Sequence, residues 1–226
     1  MTTDVADRLA EVRARIEAAG RAQAEITIVA VTKGLGVAAV EAAGAAGIDD
    51  LGENYAQELG AKAAEAGARP GRRWHFLGRV QRNKVRAIAA AVHMWQGVDR
   101  VAAGEEIARR APGAKVLVQV NLDADGAPGQ AARNGCPPDG VAELVERLGA
   151  LGLDVRGLMA VAPPGPPELA RPGFRAVSAL ADRLGLVERS MGMTGDLEVA
   201  LEEGSTMVRV GRGLFGARPV APTMRR

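Results

Sequence analysis

The stretch "ITIVAVTKG", residues 26–34, is a β-branched apolar run that ends on a lysine and a glycine. Valine, isoleucine and threonine favour a pleated, buried strand. Side chains alternate along a strand, so Thr27, Val29, Val31 and Lys33 share one face. A primary amine therefore stands at the C-terminal tip of a core strand. Taken alone, such a lysine snorkels to solvent. What it does here depends on what the other strand ends carry.

Outward from this stretch, strand and helix patterns alternate to the end of the chain. Strands are predicted at 26–32, 49–54, 73–78, 93–99, 115–122, 153–161, 187–193 and 205–211. Helices are predicted at about 36–46, 54–67, 81–91, 100–110, 138–150, 168–184 and 195–203, several closing on a glycine (Gly47, Gly67, Gly185, Gly204). Ahead of them, Val5, Leu9, Val12 and Ile16 recur at helical spacing. Eight strands each separated by one helix predict a parallel sheet closed into a single (β/α)8 TIM-type barrel with an extra N-terminal helix. An open doubly wound sheet is the alternative. No linker divides the chain, so residues 1–226 read as one domain, with 1–22 as the N-terminal helical segment and 217–226 as a tail. Two Gly/Pro-rich segments, 123–139 and 162–173, both follow strands and so fall on the face where barrel active sites are built.

Composition sets the class. Of 226 residues, 47% are hydrophobic and 25% charged, the balance of an ordinary globular chain, while 3% aromatic content leaves the core to aliphatic side chains and methionine. There is no apolar run of transmembrane length, and the first twenty residues lack the order of a signal peptide, so a cytoplasmic location is expected and no membrane. The single Cys136 makes no internal disulfide. Arginine outnumbers lysine 25 to four among the 29 basic residues. Against that habit a lysine at a strand tip is informative, because an amine forms imines and a guanidinium does not.

The last predicted strand, "STMVRVGRG", places Ser205, Met207 and Arg209 on one face and is followed by Gly211, Arg212 and Gly213. The strand before it ends in "SMGMTGD", bringing Met193 and Thr194 to a helix start. Loops after strands seven and eight commonly build a phosphate site, and helix N-termini favour anions. Thr194 and Asp196 are equally suited to capping the next helix. An amine, a phosphate cradle and a cation together suit pyridoxal 5′-phosphate, with Lys33 on the aldehyde and Arg209 on the ring nitrogen. Arginine does not readily give up its proton, so it would leave the ring a weaker electron sink than an acid partner would.

Two features are weaker. Residues 69–86 carry Arg69, Arg72, Arg73, Arg79, Arg82, Lys84 and Arg86 but little aromatic interleaving, which favours a solvated face or an anion-attracting rim over a nucleic-acid site. His75, His93 and Cys136 have no metal-ligand spacing.

The motifs "AVTKG" (30–34), "LGENYAQE" (51–58), "WHFLGRVQRNK" (74–84), "VLVQVNL" (116–122), "GLMAV" (157–161) and "SMGMTGDLEVALEEGSTMVRVGRGLFG" (190–216) run in order through nearly the whole chain. The chain resembles the pyridoxal phosphate homeostasis proteins, whose fold is similar to the barrel of alanine racemase. The resemblance implies a covalent aldimine at Lys33, Asn54 beside the ring and Arg209 facing the pyridine nitrogen. It also puts Thr194 and the Gly211–Arg212 region at the phosphate, and Met193 is a further cofactor-binding candidate. Arg212 departs from it, standing where the family commonly has serine or threonine, and the 123–139 loop is longer than usual.

A homeostasis role implies pyridoxal phosphate as partner, apo-enzymes as recipients, no nucleic acid, and a monomer or weak dimer. The alternative is a weakly active racemase-type enzyme. Such racemases draw a catalytic tyrosine from a second domain, whereas this chain ends about ten residues after its last strand and its one tyrosine, Tyr55, lies in the second βα unit. A non-enzymatic role is therefore expected, with slow turnover on Lys33 as a single base left open.

Overall fold

The structure, a computed structural model, describes residues 2–123 and 134–217. Eight strands close into a barrel in sequential order. They are β1 (Thr27–Val31), β2 (Asp50–Glu53), β3 (Arg73–Phe76), β4 (Val92–Val98), β5 (Lys115–Val120), β6 (Asp154–Ala160), β7 (Glu188–Ser190) and β8 (Met207–Val210). All pairs are parallel, and β8 returns to β1 with Val29 opposite Arg209. The closed barrel, not the open sheet, is the fold.

Helix α1 (Thr2–Ala18) precedes the barrel. The crossovers are α2 (Val37–Ala45), α3 (Ala56–Glu65), α4 (Arg82–Ile88), α5 (Val101–Arg110), α6 (Val141–Ala150), α7 (Arg171–Arg183) and α8 (Leu197–Glu202). A four-residue α9 (Arg212–Phe215) follows β8. Every expected strand and crossover helix forms, and Gly47, Gly67, Gly185 and Gly204 all lie at or just past helix ends with positive φ. The predicted starts at 138 and 168 are 3-10 turns, Pro138–Gly140 and Pro167–Ala170. Paired prolines open both segments, with the first of each pair in an extended conformation ahead of the turn. Most of 123–139, and the tail beyond 217, lie outside the described residues.

The core has two layers. Inside the barrel, Val29, Met94, Leu117, Met159 and Met207 form one cluster, as the alternation of inward positions requires. Outside it, the other strand faces pack on the helices, with Trp95, Phe174, Leu59 and Leu148 among the fully buried side chains. Helix α1 adds Leu9, Val12 and Ile16 to this outer layer and packs beside α2, α8 and α9. Truncating a fully buried isoleucine such as Ile16 to alanine costs ~2–5 kcal/mol, so α1 is an integral part of the wall that carries the β7 and β8 loops.

Candidate functional site

Lys33 sits just beyond β1 in a tight turn. The Leu35 N–H donates to the Thr32 carbonyl (3.0 Å), and Gly34 has φ 71° while no non-glycine residue in the described chain has positive φ. Lys33 and Gly34 are thus the central pair of a type II turn, in which the second position needs glycine. This turn lifts Lys33 to the barrel rim, half-buried.

Arg209 lies deeper, level with Val29, and is only 4% exposed. Its Nη1 donates to the Ser190 carbonyl (2.6 Å) and to Ser190 Oγ (2.7 Å), and its Nη2 donates to the Ala160 carbonyl (2.8 Å). Three of the five guanidinium N–H donors are thereby committed to the ends of β6 and β7. Burial lowers its pKa to about 10, against the opposing pull of Asp196, and the group remains a cation at neutral pH.

The loops after β7 and β8 are tied together by the Gly213 N–H, which donates to Thr194 Oγ1 (3.1 Å). Asp196 precedes α8, and its Oδ1 accepts from the Met193 N–H (2.6 Å) instead of capping α8. Arg15 of α1 donates to the Thr194 carbonyl (3.0 Å) and pairs with Glu198 (2.6 Å), which fixes the same loop from outside. Neither Thr194 nor Asp196 caps by its side chain, so the capping alternative fails for both. Short α9, which sequence periodicity could not reveal, begins at Arg212 on the cavity wall, in the place where barrels often put an extra helix beside a phosphate.

Lys33, Arg209 and the loops after β7 and β8 meet in one cavity of about 890 Å³ at the C-terminal mouth of the barrel. Lys33, Asn54, Met193, Thr194, Arg209, Gly211 and Arg212, the seven residues expected from sequence, all line it. Asn54 comes close because Gly78 has no side chain: a Cβ there would stand 2.0 Å from the Asn54 carbonyl oxygen. The sequence reading did not assign the opposite wall, Ala162 to Pro167, although it placed that segment on this face. Tyr55 lines a smaller neighbouring cavity and is 60% exposed.

Beneath the cavity, buried polar groups run through the barrel interior. Ser190 Oγ donates to Gln96 Oε1 (2.7 Å), and Gln96 Nε2 lies 2.8 Å from His75 Nδ1. His75 then carries its proton on Nε2, 2.8 Å from Asp50 Oδ1. Arg73 clasps Asp50 in two bonds of 2.7 and 2.6 Å. Burial alone would raise the Asp50 pKa, but Arg73 and His75 bring it down to about 2. Sequence reading asked of His75 only whether it bound metal. No group of three metal-capable side chains exists among the described residues. In the basic segment, Arg69 pairs with Asp49, Arg72 with Glu41, Arg73 with Asp50 and Arg79 with Asp99, so four of its seven cations serve the barrel itself. No helix among the described residues is long and apolar enough to cross a membrane.

The chain matches the family model of the alanine racemase N-terminal domain over residues 7–219. It is 40% identical to a pyridoxal phosphate homeostasis protein of Pseudomonas aeruginosa, with 95% of this chain and 96% of that protein covered. A protein of the same name from Deinococcus radiodurans is 38% identical, with 92% and 97% covered. The structure of PipY from Synechococcus elongatus with PLP bound superposes with a TM-score of 0.80 at 32% identity, covering 94% of this chain and all of that one. With identity at this level along almost its whole length, the chain belongs to the pyridoxal phosphate homeostasis protein family.

Proposed function

We propose that this protein binds pyridoxal 5′-phosphate in the mouth cavity and serves its homeostasis by holding, buffering or delivering the cofactor. The observation that carries this reading is that Lys33, Arg209 and the Thr194 and Gly211 loops, far apart in sequence, line one cavity.

When bound, the cofactor supplies an aldehyde that reacts with amines and a pyridine ring that withdraws electrons. Lys33, whose primary amine can react with an aldehyde, would be the residue that holds the cofactor at that end. Arg209, cationic and locked by three hydrogen bonds, would turn its remaining N–H groups to the ring nitrogen. It would keep its proton there, so the ring would gain less electron-withdrawing power. Thr194, Gly211 and the start of α9 line the cavity where they would hold the phosphate, with Arg212 adding an exposed charge. Asn54 would lie beside the ring, and Met193 lines the same cavity. Racemisation would need a second base on the opposite face, and Tyr55 stands outside this cavity.

Titration of the purified protein with pyridoxal phosphate tests the reading. A near-visible absorbance band that saturates with one cofactor per chain supports it, and an unchanged spectrum overturns it. Delivery is tested by adding an excess of a cofactor-free enzyme and measuring recovery of that enzyme's activity. Size-exclusion chromatography with light scattering decides between monomer and weak dimer.

A further inference from the structure

The turn that carries Lys33 is held by a charged cluster that no cofactor contact explains. Lys62, on α3, is 6% exposed, unusual for a lysine. Its Nζ donates to the Thr32 carbonyl (2.8 Å), to Glu53 Oε1 (2.6 Å) and to Glu58 Oε2 (3.2 Å). Glu53, on β2, is fully buried, and its Oε1 also accepts from Thr32 Oγ1 (2.6 Å). Glu58 Oε2 accepts from the Gly34 N–H (2.8 Å). Both immediate neighbours of Lys33 are therefore bonded to this one cluster. Thr32 is held at its hydroxyl, at its carbonyl and, by the Gly52 carbonyl, at its N–H (3.0 Å). Gly34 is held at its N–H.

The groups work as a unit. Thr32, just past the end of β1, and Glu53, at the end of β2, both meet Lys62 of α3, so their partner comes from the helix. Burial pushes the Glu53 carboxyl up, with Lys62 and Thr32 opposing. Its Oε2 is buried without a hydrogen-bond partner, a cost accepted only where the remaining contacts matter. At Glu58 burial works the same way, but the Gly34 N–H and Lys62 outweigh it and the carboxyl stays below its usual range.

We propose that Glu53, Lys62 and Glu58 form a positioning clamp for Lys33, which sets the turn from which its amine reaches the aldehyde. The inference rests on the cofactor reading above. It separates two things a pocket does: hold the ring and phosphate, and present the nucleophile. The clamp touches only the second.

The test compares two probes, pyridoxal 5′-phosphate and pyridoxine 5′-phosphate, which has an alcohol in place of the aldehyde and cannot bond to lysine. In Lys62→Met, stopped-flow absorbance should show covalent capture slowed on the order of 10- to 100-fold, the scale of a small misplacement of a reacting group. Pyridoxine 5′-phosphate affinity should stay within about twofold, as the clamp lies off its contacts. Lys62→Met leaves Glu53 buried without its cation, so the double variant Glu53→Met/Lys62→Met, which removes the charge pair together, guards against unfolding. Glu58→Ala, at a partly exposed position, keeps the buried Glu53–Lys62 pair and should slow capture by a smaller factor. Unchanged capture in these variants overturns the clamp. So does a parallel loss of both probes, which would make the cluster a support for the whole pocket. Wild-type protein that forms no covalent bond at all would instead overturn the cofactor reading.

Discussion

Lys33 and Arg209 face the same cavity but are placed by opposite means. The Lys33 turn is gripped at its backbone, through the Thr32 carbonyl and the Gly34 N–H, by an ionic cluster outside the barrel wall. Arg209 is gripped at its guanidinium, by two carbonyls and a hydroxyl inside the barrel. The first arrangement fixes where a side chain starts, and the second fixes where it ends. On the proposed reading, a nucleophile that must approach, bond and release suits the first, and a cation that only has to face a ring nitrogen suits the second.

Removing the nucleophile breaks the comparison most completely. Lys33→Ala should abolish covalent capture while circular dichroism and thermal midpoint remain close to wild type, because the half-buried amine is not part of the core. Retained capture would mean that another of the four lysines does the chemistry. On the other side, Arg209→Lys keeps a charge but loses the fork that spans Ser190 and Ala160. A buried carbonyl left without its donor and the loss of planar geometry should cost about 3 kcal/mol in stability or cofactor affinity, read by thermal melts and equilibrium dialysis. An unchanged melt and affinity would mean that point charge alone suffices.

A smaller effect is expected from Gly34→Ala, which forces a side chain into φ 71° at a cost of roughly 1–2 kcal/mol. It should slow capture more than it weakens pyridoxine 5′-phosphate binding, which would extend the backbone side of the comparison. Equal losses for both ligands would argue that the turn shapes the pocket generally.

The smallest effect lies at the far end of the interior chain. The Asp50 carboxyl is lowered from 3.8 to about 2 in the fold, so its contribution is complete above pH 3.8 and is lost as pH falls toward 2. Urea midpoints measured across that range should fall more steeply for wild type than for Asp50→Asn. Identical slopes would mean that Asp50 is not held by Arg73 and His75 as the geometry indicates.

Much of this was legible in the sequence. Apolar runs with period two, split by helices that close on glycine, fixed eight strands to within a few residues, and the strand tips named all seven cavity-lining candidates. The omissions have physical causes. Helix α9 is four residues long, too short for any periodicity. Glu58 and Lys62 are four apart on α3 and read as an ordinary surface pair, because the burial of Lys62 depends on Glu53 and Thr32 arriving from two other strands. His75, Gln96 and Ser190 meet only when the barrel closes, since they come from β3, β4 and β7. Nothing local marks them, because β7 is polar throughout and β3 and β4 carry other polar residues, Arg73 and His93.

The most direct test of the cofactor site is to load the protein with pyridoxal phosphate, reduce it with borohydride, digest it and map the modified peptide by mass spectrometry. The pyridoxyl group should be found on Lys33 alone. Label on Lys62, Lys84 or Lys115, or no label after saturation, would contradict the assignment.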